Sequence, residues 1–386
     1  MKTSWTISVF TATRAEYHLL TPVIRGIWND DSLQLDLIVS GTHLCEKYGR
    51  TIEDIYADGF PVADTIETIQ DGNSVDDIIA LTLIGCSKHF KKIHPDFLVV
   101  LGDRYEILGA VIAAANARIP IAHIHGGETT IGAIDEAVRH AVTKFSYLHF
   151  TSCESYRKRV IQLGEDPQRV YNVGSLGVEN ILSQSLMSRS ELQDDLQFDL
   201  NNYAVVTFHP VTLEEHTSEK QTQELIGALL EYKNLNYVVT KANADTDGEI
   251  INDIFEKVEK KTSRIKLVAS LGMVRYLSSL KYCSMVIGNS SSGILEAPVF
   301  GVPTVNIGNR QTGRIKPKSV IDCMPTKESI LQAMNKAMDE KFLEEINNMP
   351  RLYGDGSTSK IIIEKIKETL QSGVNLMKEF YDLVWR

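Results

Sequence analysis

Residues 285–314 read MVIGNSSSGILEAPVFGVPTVNIGNRQTGR. An apolar run closes on Gly288 and Asn289, three serines and a glycine follow, and a helical-looking segment carries Glu296. A second apolar run, PTVNIG, then leads to Arg310 and Arg314. Strand, helix and strand in that order form a βαβ unit, and βαβ units build parallel sheets. The same rhythm runs through the rest of the chain. In the first half the strand-like runs are WTISVFT, LQLDLIVS, DFLVVLG, IPIAHIH and YLHFTS. In the second half they are YAVVTF, NYVVT, RIKLVAS, SMVIGN and PTVNIG. Both sets are nearly continuously apolar, as strands covered on both faces should be. The expected architecture is α/β, with two Rossmann-like doubly wound domains facing a cleft. The first domain is placed at 1–185 and the second at 186–365, joined through the polar stretch GVENILSQSLMSRSELQDDLQFDLNN. A C-terminal helix over 366–386, ending GVNLMKEFYDLVWR, is expected to pack back on the first domain.

The bulk properties agree with that division. A chain of 386 residues exceeds one ordinary core, and 43% apolar with 23% charged residues is the composition of a globular protein. No apolar run approaches the roughly 20 residues that span a bilayer, so no membrane partner is expected. The opening MKTSWTISVFTATRAEY is interrupted by Arg14 and Glu16, and reads as a first strand rather than a secretory segment. Five scattered cysteines without CxxC spacing point to a reducing cytoplasm and to no metal site. A net charge of −10 argues against nucleic acid as a partner. It also means that a phosphate site must be assembled locally, from arginines and backbone N–H groups.

Ligands of open α/β sheets sit beyond the carboxyl ends of the strands. In the first half those ends carry Thr11 to Arg14, Gly41 to His43, Gly102 to Glu106 and His123 to Glu128. In the second half they carry His209 and Pro210, Lys241 to Asn243, Ser270 to Gly272, and Gly288 to Gly293. The serine cluster is not a nucleophile elbow, since the G-x-S-x-G spacing is missing. Two compatible readings remain: the serines cap a helix, or hydroxyls and N–H groups at that terminus hold a phosphate. Glu296, about one turn on, suits ribose hydroxyls, and Arg310 would add the positive charge that a diphosphate needs.

Several motifs together make the sequence recognisable: TATRAEYHLL, VVLGDRYE, HIHGGETTIGAIDEAVRHAVTK, VYNVGSLGVEN, FHPVT, IGNSSSGILEAPVFGVPTVNIGNRQTGR and YGDG. In this order, over nearly the whole chain, they resemble the hydrolysing UDP-N-acetylglucosamine 2-epimerases of bacterial sialic acid synthesis. The resemblance implies the GT-B fold, a UDP-sugar substrate, UDP as product, no cofactor, and a homodimer or tetramer. It implies that Ser290, Ser291, Ser292 and Gly293 meet the diphosphate and Glu296 the ribose. Arg14, His209 and Arg310 would support the phosphates, and the loop bearing Ser270 and Gly272 would receive the uracil. A sister branch acts on the 2,4-diacetamido-6-deoxy sugar of legionaminic acid synthesis.

The chemistry restricts the remaining residues. The C2 proton of the sugar is not acidic, so loss of UDP must lead, a base must take that proton, and water must then add. Neither nicotinamide nor metal is called for. Asp103, His125, Glu128 and Asp135, with His209, are the candidates for proton transfer, with the choice of C2 base left open. Asp103 also suits a helix N-cap, and Asp135 also suits the dipole of the helix it opens. His43, Glu106 and Asn243 are candidates for holding the sugar, although an interior histidine is more often only hydrogen-bonded. Arg139, His140 and Lys144 read as a solvated or packing face. Met273, Leu277 and Leu280 read as core, and Cys153 lacks a base to activate it. The competing functions are a GT-B glycosyltransferase, a non-hydrolysing epimerase, and a nucleotide-sugar-binding regulator.

Overall fold

Helices separate nearly all consecutive strands among the described residues, and parallel pairing needs such crossovers. The computed structural model describes residues 4–70, 72–129, 134–210, 217–242 and 248–383. The first sheet contains β1 (Trp5–Thr11), β2 (Leu33–Ser40), β3 (Val62–Ile66), β4 (Phe97–Leu101), β5 (Ile121–Ile124), β6 (Leu148–Thr151) and β7 (Val170–Asn172). The second contains β8 (Tyr203–Thr207), β9 (Asn236–Thr240), β10 (Ile265–Val268), β11 (Met285–Gly288), β12 (Thr304–Ile307) and β13 (Val320–Cys323). The spatial orders are β3-β2-β1-β4-β5-β6-β7 and β10-β9-β8-β11-β12-β13. All pairings are parallel. Each sheet therefore reverses its winding once, between β1 and β4 and between β8 and β11. Those two points are where a doubly wound sheet opens a crevice for ligands.

Strands β3, β7 and β13 have no counterpart among the sequence expectations, and all three are edge strands. An edge strand buries less of itself, and each of these has a single buried position among intermediate and exposed ones instead of forming an apolar run. By contrast β4, β5, β6 and β8 are buried at every position.

The chain divides into two compact units, one running to Asn180 and resuming at Tyr353, the other being Ile181–Leu352. The polar stretch read as a linker is largely helical, at Leu176–Ser183 and Arg189–Leu196. Ser188 and Glu191 form a reciprocal capping box on the second helix, while Leu192 and Leu196 bury its inner face. Its polarity belongs to a surface helix. The final helix also differs from expectation, covering Thr358–Ser372 and ending at Gly373, whose φ of 84° is left-handed. Ile362, Ile363 and Ile366 carry it into the core of the first unit. The chain beyond runs without helix to residue 383, and Val384 and Trp385 lie outside the described residues. This segment is pinned by Lys378, whose Nζ donates to the carbonyls of Lys144 (2.9 Å) and Ser146 (2.8 Å) and pairs with Glu165 at 2.6 Å.

A buried polar network ties the outer strands of the first sheet to helix Val75–Ile93. His89 Nε2 bonds Asp36 at 2.9 Å and Nδ1 bonds Asp64 at 2.8 Å. The Ser8 hydroxyl donates to the same Asp36 carboxylate. The serine therefore faces the acid rather than the imidazole, which rules out a nucleophile here. Burial pulls the His89 pKa down, but the Asp36 and Asp64 carboxylates outweigh it and the net shift is upward. A folded pKa above the unfolded value gives stability that is complete below about pH 6.5 and is lost as pH rises through the folded value. Replacing His89 by Gln should cost about 3–5 kcal/mol near pH 6, because it leaves a buried carboxylate uncompensated. Denaturant melts should show the gap from wild type narrowing toward pH 9. A gap independent of pH would mean that His89 is held neutral.

Candidate active site

The first unit places its reactive groups where β4 and β5 end. Tight turns put them there. Gly102 has φ 84°, and His125 itself is left-handed with φ 64°. At Gly127, with φ 78°, a Cβ would lie 2.5 Å from the Tyr156 carbonyl oxygen, so the HGG turn requires glycine. His123 is buried at the end of β5, where its Nε2–H donates to Gly102 O (2.8 Å) and Nδ1 meets Thr143 Oγ1 (3.2 Å). Burial pushes its pKa down to about 3, so it is a neutral tie that fixes the loop leading to Asp103.

Asp103 does not cap the following helix. Arg104 occupies the cap position without a side-chain bond, and Asp103 instead pairs with Arg139 Nη2. Arg139 is 6% exposed and also donates from Nη1 to the His125 carbonyl at 2.7 Å. Of the two expectations for Arg139, a solvated or a packing face, the structure shows the second: it lies on the inner face of helix Asp135–Phe145 with Val138, Val142 and Thr143. One guanidinium thereby joins the Asp103 loop, the His125 turn and the helix. His125 is buried, its Nε2 has no hydrogen-bond partner, and its Nδ1 stands 3.8 Å from Glu128. Desolvation lowers its pKa, with Glu128 opposing, so the ring favours its neutral, proton-accepting form. Glu128 is half-buried and accepts a hydrogen bond from the Ser152 hydroxyl at 2.6 Å. Asp135 opens the helix, partly exposed, where its charge complements the dipole.

Two sugar candidates are hydrogen-bonded within the fold. His43 is fully buried, with Nε2 on Thr11 Oγ1 (3.1 Å) and Nδ1 on Thr51 Oγ1 (2.8 Å), which occupies both ring nitrogens. Burial pushes its pKa down to about 4. Glu106 is fully buried with both oxygens on Arg104. Asn243 lies outside the described residues. At the end of β1, Thr13 and Glu16 form a capping box, and Glu16 Oε2 accepts from the N–H groups of Ala12 (2.9 Å) and Thr13 (3.1 Å). Arg14, the first helical residue, is exposed and lies 3.6 Å from Asp54. Lys144 pairs with the buried Glu165 at 2.5 Å.

The second unit builds its site on Asn289. The carboxamide Oδ1 accepts from His209 N–H at 2.8 Å, and Nδ2 donates to His209 O at 2.8 Å. Arg310 Nη1 (3.1 Å) and Gln311 Nε2 (2.9 Å) both donate to the Asn289 carbonyl. His209, the serine loop and Arg310 are thus fixed to one another across the β8/β11 switch point. Gly288 permits the close approach of those strands, since a Cβ there would lie 1.9 Å from Thr207 O. The helix after the serines is a single turn, Ser292–Leu295, followed by a 3₁₀ turn through Pro298. Ser291 makes no side-chain cap bond, while Ser290 Oγ accepts from Ser292 N–H at 3.3 Å. A one-turn helix supplies little dipole, so an anion here would depend on hydroxyls, N–H groups and Arg310.

Ser292 instead meets Tyr276 Oη, a partner the sequence reading did not single out. Burial pushes the Tyr276 phenol up to about 12 and raises the Glu296 carboxyl, which a bond from Ser292 partly offsets. On the same helix Leu277 and Leu280 are core, but Met273 is 59% exposed, contrary to expectation. Ser270 and Gly272 lie exposed beyond β10, with Gly272 N–H donating to Ser270 Oγ at 3.3 Å. Cys153 is buried and its thiol is pushed up by burial, the condition of an inert cysteine.

Glu16 supplies a test of this geometry. Burial raises its carboxyl to about 7, with the Ala12 N–H opposing, and its Oε1 has no hydrogen-bond partner. A carboxyl raised in the folded state costs nothing below its ordinary value, and the cost grows with pH until it is complete above about 7. Glu16→Gln keeps an acceptor for both N–H groups and avoids ionisation. Its stability relative to wild type should improve from pH 5 to pH 8 by up to about 3 kcal/mol in denaturant melts. A difference that stays flat with pH would mean that Glu16 titrates as an ordinary surface acid.

The family model described as UDP-N-acetylglucosamine 2-epimerase matches residues 25–367. Among curated proteins, "Polysialic acid biosynthesis protein P7" of Escherichia coli is 38% identical, covering 97% of this chain and 96% of that protein. The "GDP/UDP-N,N'-diacetylbacillosamine 2-epimerase (hydrolyzing)" of Campylobacter jejuni is 36% identical, covering 98% and 99%. Among solved structures, UDP-GlcNAc 2-epimerase of Neisseria meningitidis bound to UDP-GlcNAc has the same fold, with a TM-score of 0.78. It is 16% identical and the match covers 94% of this chain and 100% of that one. With two Rossmann-like units of the GT-B type and a family match over most of its length, the chain belongs to the UDP-N-acetylglucosamine 2-epimerase family, as a 2-epimerase of the hydrolysing kind.

Proposed function

We propose that the protein converts UDP-N-acetylglucosamine and water to N-acetylmannosamine and UDP, the first step of sialic acid synthesis. The C1–O bond breaks first, and UDP leaves with the anomeric oxygen. A base then takes the C2 proton, giving the 2-acetamidoglucal. Water returns a hydroxyl to C1 and a proton to the opposite face of C2, which inverts that centre. One observation carries the assignment of roles: buried Arg139 holds the Asp103 carboxylate and the backbone of His125 together at the carboxyl end of the first sheet. Asp103 and His125, with Glu128 beside the imidazole, are suited to moving protons at C2 and at the water. In the second unit Ser290, Ser291 and Arg310 suit the diphosphate and Glu296 the ribose, with His209 beside them. Unpaired cysteines among the described residues suit a cytoplasmic setting.

The Escherichia coli relative, named for polysialic acid biosynthesis, supports the N-acetylglucosamine substrate. The Campylobacter relative supports a second reading, in which the sugar is UDP-N,N'-diacetylbacillosamine. Turnover of both nucleotide sugars, followed by NMR of the free sugar, decides between them. The first reading expects kcat/KM at least ~10-fold higher for UDP-N-acetylglucosamine, and the reverse ratio would establish the second. In either case Asp103→Asn should lower kcat by about 10²–10⁴-fold. Near-normal kcat in that variant would remove Asp103 from the proton-transfer group.

A further inference from the structure

Lys378 lies beyond the final helix, and each of its three N–H donors has a partner. Nζ donates to the carbonyls of Lys144 (2.9 Å) and Ser146 (2.8 Å) and pairs with Glu165 at 2.6 Å. The two carbonyls stand at the end of helix Asp135–Phe145, where the last C=O groups have no partner within a helix. The ammonium therefore caps that helix and complements its dipole. Glu165 is 1% exposed and takes Lys144 on Oε1 (2.5 Å), with His149 (3.0 Å) and Lys378 on Oε2. Burial would raise its carboxyl, but the His149 and lysine contacts outweigh it and hold the value at about 2. Phe380 lies on Gly164, where a Cβ would come within 2.2 Å of the ring, and Tyr381 N–H donates to Gly164 O at 2.9 Å. Residues 374–383 form neither helix nor strand, and Leu376, Met377, Phe380 and Tyr381 are exposed. A segment tied at three points with little of itself buried opens at far lower cost than the sheet beneath it.

The capped helix is the one that grips the reactive loops. Arg139 holds Asp103 and the His125 carbonyl, while Thr143, one turn on, meets His123, which bonds Gly102 O. At about 1.5 Å per residue both lie within about 8 Å of Lys144 along the helix axis. Glu165 reinforces the connection, since its partner His149 is the register partner of His123 in the β5–β6 ladder. We propose that residues 374–383 are a strap that holds the proton-transfer group in place, with Lys378 as its positioning residue. Attached, Lys378 fixes where the helix end lies, and so where Arg139 holds the Asp103 carboxylate and the His125 turn. Released, the helix end loses its cap and the carboxylate its fixed place. A loop serving only the core would bury its apolar side chains, whereas this one leaves them outside and directs its one cation to the helix end. The inference rests on the proposed elimination chemistry and adds to it a control element remote from the sugar.

Steady-state turnover of UDP-N-acetylglucosamine and of its C2-deuterated form by the full chain tests this. Lys378→Met should fold, because Glu165 keeps Lys144 and His149 as partners. Its kcat should fall about 10- to 100-fold, the loss that displacement by about 1 Å produces, with little change in KM. The deuterium isotope effect on kcat should exceed that of wild type, because a misplaced proton-transfer group slows removal of the C2 proton. Lys378→Arg, which returns a cation to the helix end, should recover most of the loss. An unchanged kcat in folded Lys378→Met would overturn the proposal. So would a lower kcat with the wild-type isotope effect, since fewer folded molecules lower the rate without altering that ratio. Phe380→Ala leaves the Lys378–Glu165 pair intact and should act in the same direction, so it carries the test if Lys378→Met does not fold. Failure of the underlying reading is separable: wild-type protein itself would then release no N-acetylmannosamine.

Discussion

Arg139 is a guanidinium almost out of reach of water, and a charge so placed must find partners within the fold. It finds them in the Asp103 carboxylate and the His125 carbonyl, which belong to the loops after β4 and β5. Removing the arginine would leave a carboxylate without its counter-ion and two loops without their tie. His123 supports the same loops from below by accepting no charge of its own and bonding Gly102 O. The arrangement holds a carboxylate and an unpartnered imidazole nitrogen at the carboxyl end of a rigid parallel sheet, which is the preorganisation that proton transfer requires.

The second unit meets a comparable problem with a neutral group. Asn289 closes a reciprocal pair of hydrogen bonds with the His209 backbone, and its own carbonyl collects Arg310 and Gln311. Backbone geometry enforces the rest, because Gly288 must lie against Thr207 for β8 and β11 to pair. In the second unit the working loops hang from β8 and β11, the strands that flank the reversal of winding, and in the first they follow β4, which flanks it, and the next strand, β5. The sheet decides where the residues converge, and the loops decide what chemistry they offer.

How much of this could be read in advance follows from burial. Strands covered on both faces, such as FLVVL and YAVVT, announce themselves as apolar runs, whereas VADTI, VYN and VIDC at the sheet edges do not. The helix at 189–196 was hidden by its solvent-facing polarity, although Leu192 and Leu196 keep a one-turn spacing. The loops carrying Asp103, His125, Ser290 and Arg310 could be located because each follows an apolar run, and the structure places each directly beyond a strand. Arg139 could not, since a charged residue on a helix is usually solvated. The available signal was its position in the apolar stripe of Val138, Val142 and Thr143. His43 lies in the 3₁₀ turn after β2 and Glu106 in the first turn of helix Tyr105–Asn116, and sequence does not show that their polar atoms are engaged by Thr11, Thr51 and Arg104.

The proposed mechanism turns on elimination preceding hydration, driven by the proton-transfer group that Arg139 assembles. One reaction of the wild-type enzyme tests it: turnover of UDP-N-acetylglucosamine in deuterated water enriched in ¹⁸O, with both products analysed by NMR and mass spectrometry. The account predicts a free amino sugar carrying deuterium at C2 and ¹⁸O at C1, with UDP released free of ¹⁸O. Protium retained at C2, or ¹⁸O found in the UDP, would contradict it.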